Sequence, residues 1–510
     1  MWDDYFKGKK ITLMGLGLLG RGIGDAVFLA KHGAELCVTD MKTAEQLAES
    51  VEKLKEFPNV SFTLGEHRLE DFQNRDIIIR AANVPLDSVF LAEAKKYNTP
   101  IEQSVSLFVR LLREYKKSIG KEHEKYLVGV TGSKGKTTTT HLIAEMLVRA
   151  FPNKRIRMGG NIQGVSTLSY LDDLQPDDIF VLELDSWQLA SFGDSKMSPH
   201  VSVFTTFMPD HMDYYLKATG GNTGSDTTST SGGAHTIKQA DPGVAKGDSA
   251  YRGDTSTALG ALEKAMDRYF NDKANIFCFQ GERDVCFIGT NVSPWVEKHH
   301  PQYTARLKQG VHKEFQERSL SLQGKHNEEN IALAASAARE LGVEENIVED
   351  VVAHFAGVAG RLQFVCEKEG VKYYNDTTAT MPEATRAALR ALHTNDQAPH
   401  SKQKERNIIL IMGGMDKQLP MDAFIVELPQ HCKALVLLKG VGTTRIRGMI
   451  HDADFDSVTE VDSMQEAVSV ARSVAHSGDT ILLSPAFSSK GMFINEYDRG
   501  DQFMKAVSNI

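Results

Sequence analysis

Residues 128–140 read VGVTGSKGKTTTT, a β-branched strand running into a glycine-containing loop and then a helix. This is the arrangement of phosphate-binding loops, in which backbone N–H groups and the positive end of a helix dipole cradle phosphate oxygens. The strict pattern GxxxxGK[ST] fails, because its first glycine falls on Val130. The core Gly132-Ser133-Lys134-Gly135-Lys136-Thr137-Thr138 remains, with Lys136 placed to reach terminal phosphates and Thr137 to hold Mg²⁺. A Gly-Lys-Thr in an ordinary turn is the competing reading, and the strand-loop-helix setting disfavours it.

Downstream, the apolar strand IFVLEL carries Glu183, 47 residues after Lys136. A carboxylate at a strand end beside a phosphate loop is where Mg²⁺ ligation is expected. Asp210-His211-Met212-Asp213 follows the next strand, Val201–Thr205, and gathers carboxylates and an imidazole that suit metal or phosphate. Leu259, Leu262, Met266 and Tyr269 form a helical stripe, and Lys273 falls four residues later on the same face. A lysine there must snorkel, pair or be modified, and the pattern alone favours snorkelling.

Upstream, Gly15-Leu16-Gly17-Leu18-Leu19-Gly20 follows a strand and opens a helix, and Asp40 ends the next strand. This is the nucleotide-binding βαβ fingerprint. It leaves three readings open: a dinucleotide site for NAD(P) or FAD, a site for another nucleotide diphosphate, or a structural turn. Lys42 adds a charge for a phosphate.

Strands alternate with helices along the rest of the chain, at Tyr126–Val130, Arg155–Met158 and Ile179–Leu184, then at Val371–Tyr374, Asn407–Met412, Ala434–Leu438 and Thr480–Leu483. That alternation predicts three α/β domains in series, over 1–118, 119–357 and 358–510, the first with a doubly wound parallel sheet, and the polar segment Glu114–Lys125 as a linker. In Thr219–Thr236, 14 of 18 residues are Gly, Ser or Thr, which predicts a flexible insertion spanning about 216–256.

The 510 residues, 41% hydrophobic and 25% charged, are those of an ordinary globular protein. With 58 basic against 67 acidic residues and no basic block, nucleic acid and anionic membranes are not expected partners. Five scattered cysteines offer neither a disulfide framework nor a zinc site. No apolar run approaches the ~20 residues of a membrane span, and no signal peptide is evident, so the expected location is the cytoplasm.

Taken in order, GLGLLGRG, GVTGSKGKTTTT, GGNIQG, VLELDSWQL, DHMDYY, QGKHNEEN, Arg361 before YYNDTTAT, GGMDKQ and SPAFSSKGMF…DRG resemble the Mur ligase family over nearly the whole chain. The resemblance implies a Rossmann-like UDP-sugar domain, a central ATPase domain and a C-terminal Rossmann-like domain that binds the amino acid. It implies ATP-dependent addition of D-glutamate to UDP-N-acetylmuramoyl-L-alanine in peptidoglycan precursor synthesis, through an acyl phosphate and a tetrahedral intermediate, by a monomer. Another amino acid, such as L-glutamate, is the alternative. By the same resemblance Leu18, Leu19, Asp40, Lys42 and Asn161 contact the UDP-sugar. The loop Gly132–Thr138 binds ATP together with Asn330, Arg361 and Asp376. Thr137 and Glu183 hold one Mg²⁺; His211 and a carbamylated Lys273 serve a second, and Lys136, His211 and Lys273 are catalytic. Thr380, Lys417 and Ser489 hold the amino acid. Departures from the family pattern are Ala81-Ala82-Asn83 for Ser-Pro-Gly, Thr378 for a lysine and Asp185 for a serine.

If the Gly/Ser/Thr-rich segment is only an insertion, deleting 219–236 leaves the far-ultraviolet dichroism and the urea midpoint unchanged; a lost transition shows that the segment is structural.

Overall fold

Parallel strands require crossover connections, which the alternating helices supply. The computed structural model describes every residue except 1, 18, 19, 83, 85, 86, 163, 211, 219–254, 311–324, 356, 394–405, 417, 418, 454 and 490. His211, Lys417, Leu18, Leu19 and the Gly/Ser/Thr-rich segment therefore lie outside the described residues. The first sheet contains β1 (Lys10–Met14), β2 (Glu35–Asp40), β3 (Val60–Leu64), β4 (Ile77–Arg80) and β5 (Ile101–Glu102), all parallel, in the order β3-β2-β1-β4-β5. The second contains β6 (Leu127–Thr131), β7 (Ile156–Gly160), β8 (Ile179–Glu183), β9 (Val201–Phe204), β10 (Val285–Ile288) and β11 (Leu307–Gln309). These strands are also parallel, in the order β11-β10-β9-β6-β8-β7. The third contains β12 (Gln363–Lys368), β13 (Val371–Asn375), β14 (Ile408–Gly413), β15 (Cys432–Leu438), β16 (Val458–Val461) and β17 (Thr480–Leu483). Its order is β12-β13-β17-β14-β15-β16, with β12 alone antiparallel to its neighbour.

Two compact units result. Met1–Val311 with Ala332–Ile347 holds the first two sheets, and His312–Ile331 with Val348–Ile510 holds the third. In the first unit one apolar core runs from Phe6 and Ile11 through Phe108 to Phe180 and Phe270. In the second, Ile409 and Ile411 point to one face of the sheet and Ile408, Leu410 and Met412 to the other. Both faces are covered, as expected of a parallel sheet between helices.

Three expectations need correction. The helix Ser104–Ser118 runs through the first half of the expected linker. Lys116 is fully buried there, its ammonium donating to Pro176 C=O at 2.6 Å above the Tyr126 ring, so a polar run conceals a packed helix end. Leu262, assigned to the inward stripe, is 39% exposed; the buried side of the helix Thr255–Ala274 presents Ala265, Met266, Tyr269, Phe270, Lys273 and Ala274. Strands β3, β5, β10, β11, β12 and β16 went unread, because they are short or lie towards sheet edges where apolar runs are brief. Among the described residues no helix is long and apolar enough to cross a membrane.

Phe108 meets Phe180 of β8 edge-on at 5.0 Å, tying the helix that follows the first sheet to the second. Phe108→Ala should cost about 3–5 kcal/mol in urea denaturation.

Candidate active site

The carboxyl ends of β7, β8, β6 and β9 lie side by side, with Val130 opposite Glu183, Gly160 opposite Glu183, and Thr131 opposite Phe204. Between β6 and the helix Lys136–Ala150 the chain turns through Gly132 (φ +146°) and Gly135 (φ +86°). A Cβ on Gly132 would collide with Thr205 Oγ1. Ser133 N–H donates to Thr206 C=O at 2.7 Å, and Lys134 N–H to Thr206 Oγ1 at 2.9 Å. The Ser133 hydroxyl donates to Met208 C=O at 2.8 Å. Those two amides thus brace the loop against the segment after β9. Further on, the helix Lys136–Ala150 starts without a side-chain cap from Gly135, and Thr139 N–H donates to Gly135 C=O at 3.0 Å.

Lys136 folds back so that Nζ donates to Gly132 C=O at 3.0 Å. Lys273 donates to the same carbonyl at 3.0 Å and to Thr131 Oγ1 at 3.3 Å. Lys273 is 2% exposed, and desolvation, then the neighbouring Lys136 charge, hold its ammonium well below the ordinary lysine range. Snorkelling is thereby excluded. Glu183 is buried at the end of β8, with Asn161 Nδ2 3.4 Å from Oε1. Lys134 lies 3.8 Å from Asp210. Asp185 caps the helix Ser186–Asp194, accepting from Gln188 N–H at 2.7 Å, which gives this departure from the family pattern a local purpose.

The first glycine loop is built from its own acid. Asp40 Oδ2 accepts from the amides of Leu16 (2.9 Å) and Gly17 (3.0 Å), and Oδ1 accepts from Lys42 N–H (2.9 Å). In this structure Asp40 shapes the turn, a use its fingerprint position does not announce. Gly20 at φ +86° caps the helix Arg21–Lys31, and Ala81 packs against Gly15. Arg21, unassigned in the sequence, donates to Asn161 Oδ1 at 3.1 Å and joins this loop to GGNIQG. Its position beside Gly20 was the only signal.

The third sheet presents its own strand ends. Asp376 follows β13, accepting from Leu362 N–H at 3.0 Å and Ser484 Oγ at 2.7 Å. Burial pushes its carboxyl up to about 7, against the lowering effect of these bonds and of Arg361. Thr378 Oγ1 donates to Gly360 C=O at 3.0 Å, so the residue standing for the family's lysine pins the turn carrying Arg361. Ala486 N–H donates to Ala379 C=O at 2.9 Å, which brings the segment with Thr380 beside that leading to the buried Ser489. Arg499, fully buried, donates to Thr377 C=O at 2.8 Å and Phe487 C=O at 3.1 Å, holding the two segments together. Only its place in a DRG triplet hinted at this. Asn330 sits on the helix Lys325–Glu340, donating to Asn327 Oδ1 at 3.1 Å.

Residues 130–219 match the Mur ligase middle domain, and 360–487 the Mur ligase glutamate ligase domain. A UDP-N-acetylmuramoylalanine–D-glutamate ligase from Roseiflexus sp. (strain RS-1) is 34% identical over 98% of this chain and 99% of its own. The chain belongs to the Mur ligase family. The enzyme of the same printed name from Borreliella afzelii (strain PKo) is 30% identical over 99% of this chain and 98% of its own. Among solved structures, the UDP-N-acetylmuramate-alanine ligase MurC of Thermotoga maritima shares the Mur ligase fold, with TM-score 0.51 and 16% identity over 98% of this chain and 99% of that one.

Gly132→Ala should destabilise the loop by about 1–3 kcal/mol, through strain at positive φ and the Thr205 contact, and remove nucleotide binding measured by calorimetry. Because Asp376 titrates higher folded than its ordinary 3.8, its stabilising contribution is complete below 3.8 and is lost as pH rises through about 7. Urea denaturation should therefore show Asp376→Asn gaining on the wild type by about 2–4 kcal/mol from about pH 4 to about pH 8.

Proposed function

We propose that the chain is an ATP-dependent ligase of the cytoplasm that joins D-glutamate to UDP-N-acetylmuramoyl-L-alanine in peptidoglycan precursor synthesis. The full-length relatives named for this reaction support the reading. The single structural observation that carries it is the pair of lysines converging on Gly132 C=O in the loop that leads into the helix Lys136–Ala150. We assign 1–118 to the UDP-sugar, 119–357 to ATP and 358–510 to the amino acid.

In this reading the helix amides and Lys136 receive the ATP phosphates. The substrate carboxylate attacks the terminal phosphorus, and charge moves from the attacking to the leaving oxygen while Lys136 stays close to both. The glutamate amine then attacks the acyl phosphate carbon, and the tetrahedral intermediate expels phosphate as the amide forms. The Thr137 hydroxyl and the buried Glu183 carboxylate are hard oxygen donors that fit Mg²⁺. A Mg²⁺ bound by these two oxygens would supply positive charge to offset that on the phosphate oxygens. Burial and the Lys136 charge lower the proton affinity of Lys273, which favours the amine form that CO₂ adds to. As a carbamate it would become an oxygen ligand for a second Mg²⁺ alongside His211. Arg361 and Asp376, adjoining at the end of β13, serve the nucleotide with Asn330. Thr380, Lys417 and Ser489 serve the amino acid. Asn161, Lys42 and the Leu18-Leu19 turn serve the UDP-sugar, with Asp40 shaping its loop.

Phosphate release should require ATP, Mg²⁺, UDP-N-acetylmuramoyl-L-alanine and D-glutamate together; turnover indifferent to the sugar and the amino acid overturns the proposal. Lys136→Ala should lower kcat by about 10²–10³. Lys273→Ala should lose a similar amount and regain part of it with added formate or acetate.

A further inference from the structure

We infer that the hydrogen bond from Tyr215 to Asp272 makes these two residues positioning residues for Lys273, by fixing the rotation of the helix that carries it. The reaction it serves rests on the ligase reading above; the bond itself does not.

Lys273 stands one residue from the end of the helix Thr255–Ala274, where the chain leaves the helix by a turn in which Ile276 N–H donates to Lys273 C=O at 3.1 Å and Phe277 N–H to Ala274 C=O at 2.9 Å. The backbone just beyond is also held, with Ser198 Oγ donating to Asn275 C=O at 2.6 Å and Ser202 Oγ to Ile276 C=O at 2.8 Å. Both bonds act on main-chain carbonyls beyond the helix, and neither engages a side chain of its last turn. Successive residues leave a helix about 100° apart, so a fixed Asp272 dictates the direction in which Lys273 departs. Tyr215 supplies that anchor: its hydroxyl donates to Asp272 Oδ2 at 3.0 Å.

The anchor is rigid and connected to the site. Tyr215 is fully buried, and its ring lies 5.1 Å from that of Tyr269. The Tyr269 ring in turn lies 5.0 Å beneath Lys273 Nζ, with its hydroxyl 3.2 Å from Ser133 Oγ of the phosphate loop. Tyr215 belongs to the short helix Met212–Ala218, which begins two residues after Asp210. One hydrogen bond thus joins the segment after β9 to the helix bearing Lys273, and the ring contacts relay its placement to the phosphate loop. Packing alone would be served by an apolar residue at 272. A carboxylate taken partly out of water is costly unless a directional contact answers it, and here the directional contact is the anchor.

The test uses the full chain. Tyr215→Phe keeps the ring and removes the donor; Asp272→Ala removes the acceptor; Asp272→Asn keeps an oxygen that accepts from Tyr215. Tyr215→Phe and Asp272→Ala should each lower kcat about ten- to a hundredfold, with the KM for ATP within about twofold of wild type. The double variant should be no worse than either single one, and Asp272→Asn should stay near wild type. Hydrogen exchange should rise in both damaging variants in a peptide covering 266–276 and stay unchanged in β6. Unchanged exchange in that peptide overturns the brace. Raised exchange with unchanged kcat, or strictly additive losses, overturns its positioning role. A wild type whose phosphate release ignores D-glutamate overturns the ligase reading instead, while the exchange data still decide the brace.

Discussion

A single backbone carbonyl organises the strand ends of the second sheet. Gly132 C=O accepts from both Lys136 and Lys273, each at 3.0 Å, in a place where Lys273 has almost no access to water. Two ammonium groups so close repel, and the repulsion grows as water is excluded. Burial first, and the Lys136 charge second, lower the proton affinity of Lys273. In the proposed ligase reading Lys136 meets phosphate, and the lowered proton affinity of Lys273 favours the amine form that carbamylation needs.

The scaffold makes that convergence possible. Four parallel strands end at one edge, so Gly160, Glu183, Thr131 and Phe204 arrive together although they are far apart in sequence. The loop between Thr131 and Lys136 is shaped by the segment after β9, whose Thr205 and Thr206 side chains hold its carbonyls and amides. Glycine at 132 is a steric necessity there. The third sheet repeats the principle, with Asp376, Ser484 and the segment pinned by Arg499 at the carboxyl ends of β13 and β17.

Much of this was legible beforehand. The phosphate loop, Glu183 and the first glycine loop are local patterns of strand, turn and helix, and their spacing carries the geometry. Lys273 could be placed on an inward face by its distance from Met266 and Tyr269, yet its fate could not be read, because that depends on Lys136 arriving from another element. Asp40 shows the opposite case: its position was plain, while its actual partners, the amides of Leu16 and Gly17, emerge only once the turn has closed. Arg21, Tyr215, Asp272 and Arg499 act through contacts across long sequence separations and left no periodic trace. The buried Lys116 misled for the same reason, since a charged letter conceals an apolar stem and a distant carbonyl acceptor.

The most direct measurement of the central claim is the carbon-13 spectrum of the full chain equilibrated with ¹³C-bicarbonate. The convergence of Lys136 and Lys273 on one carbonyl predicts a carbamate resonance that disappears in Lys273→Ala. Its absence from the wild type, or its persistence in that variant, would contradict the account.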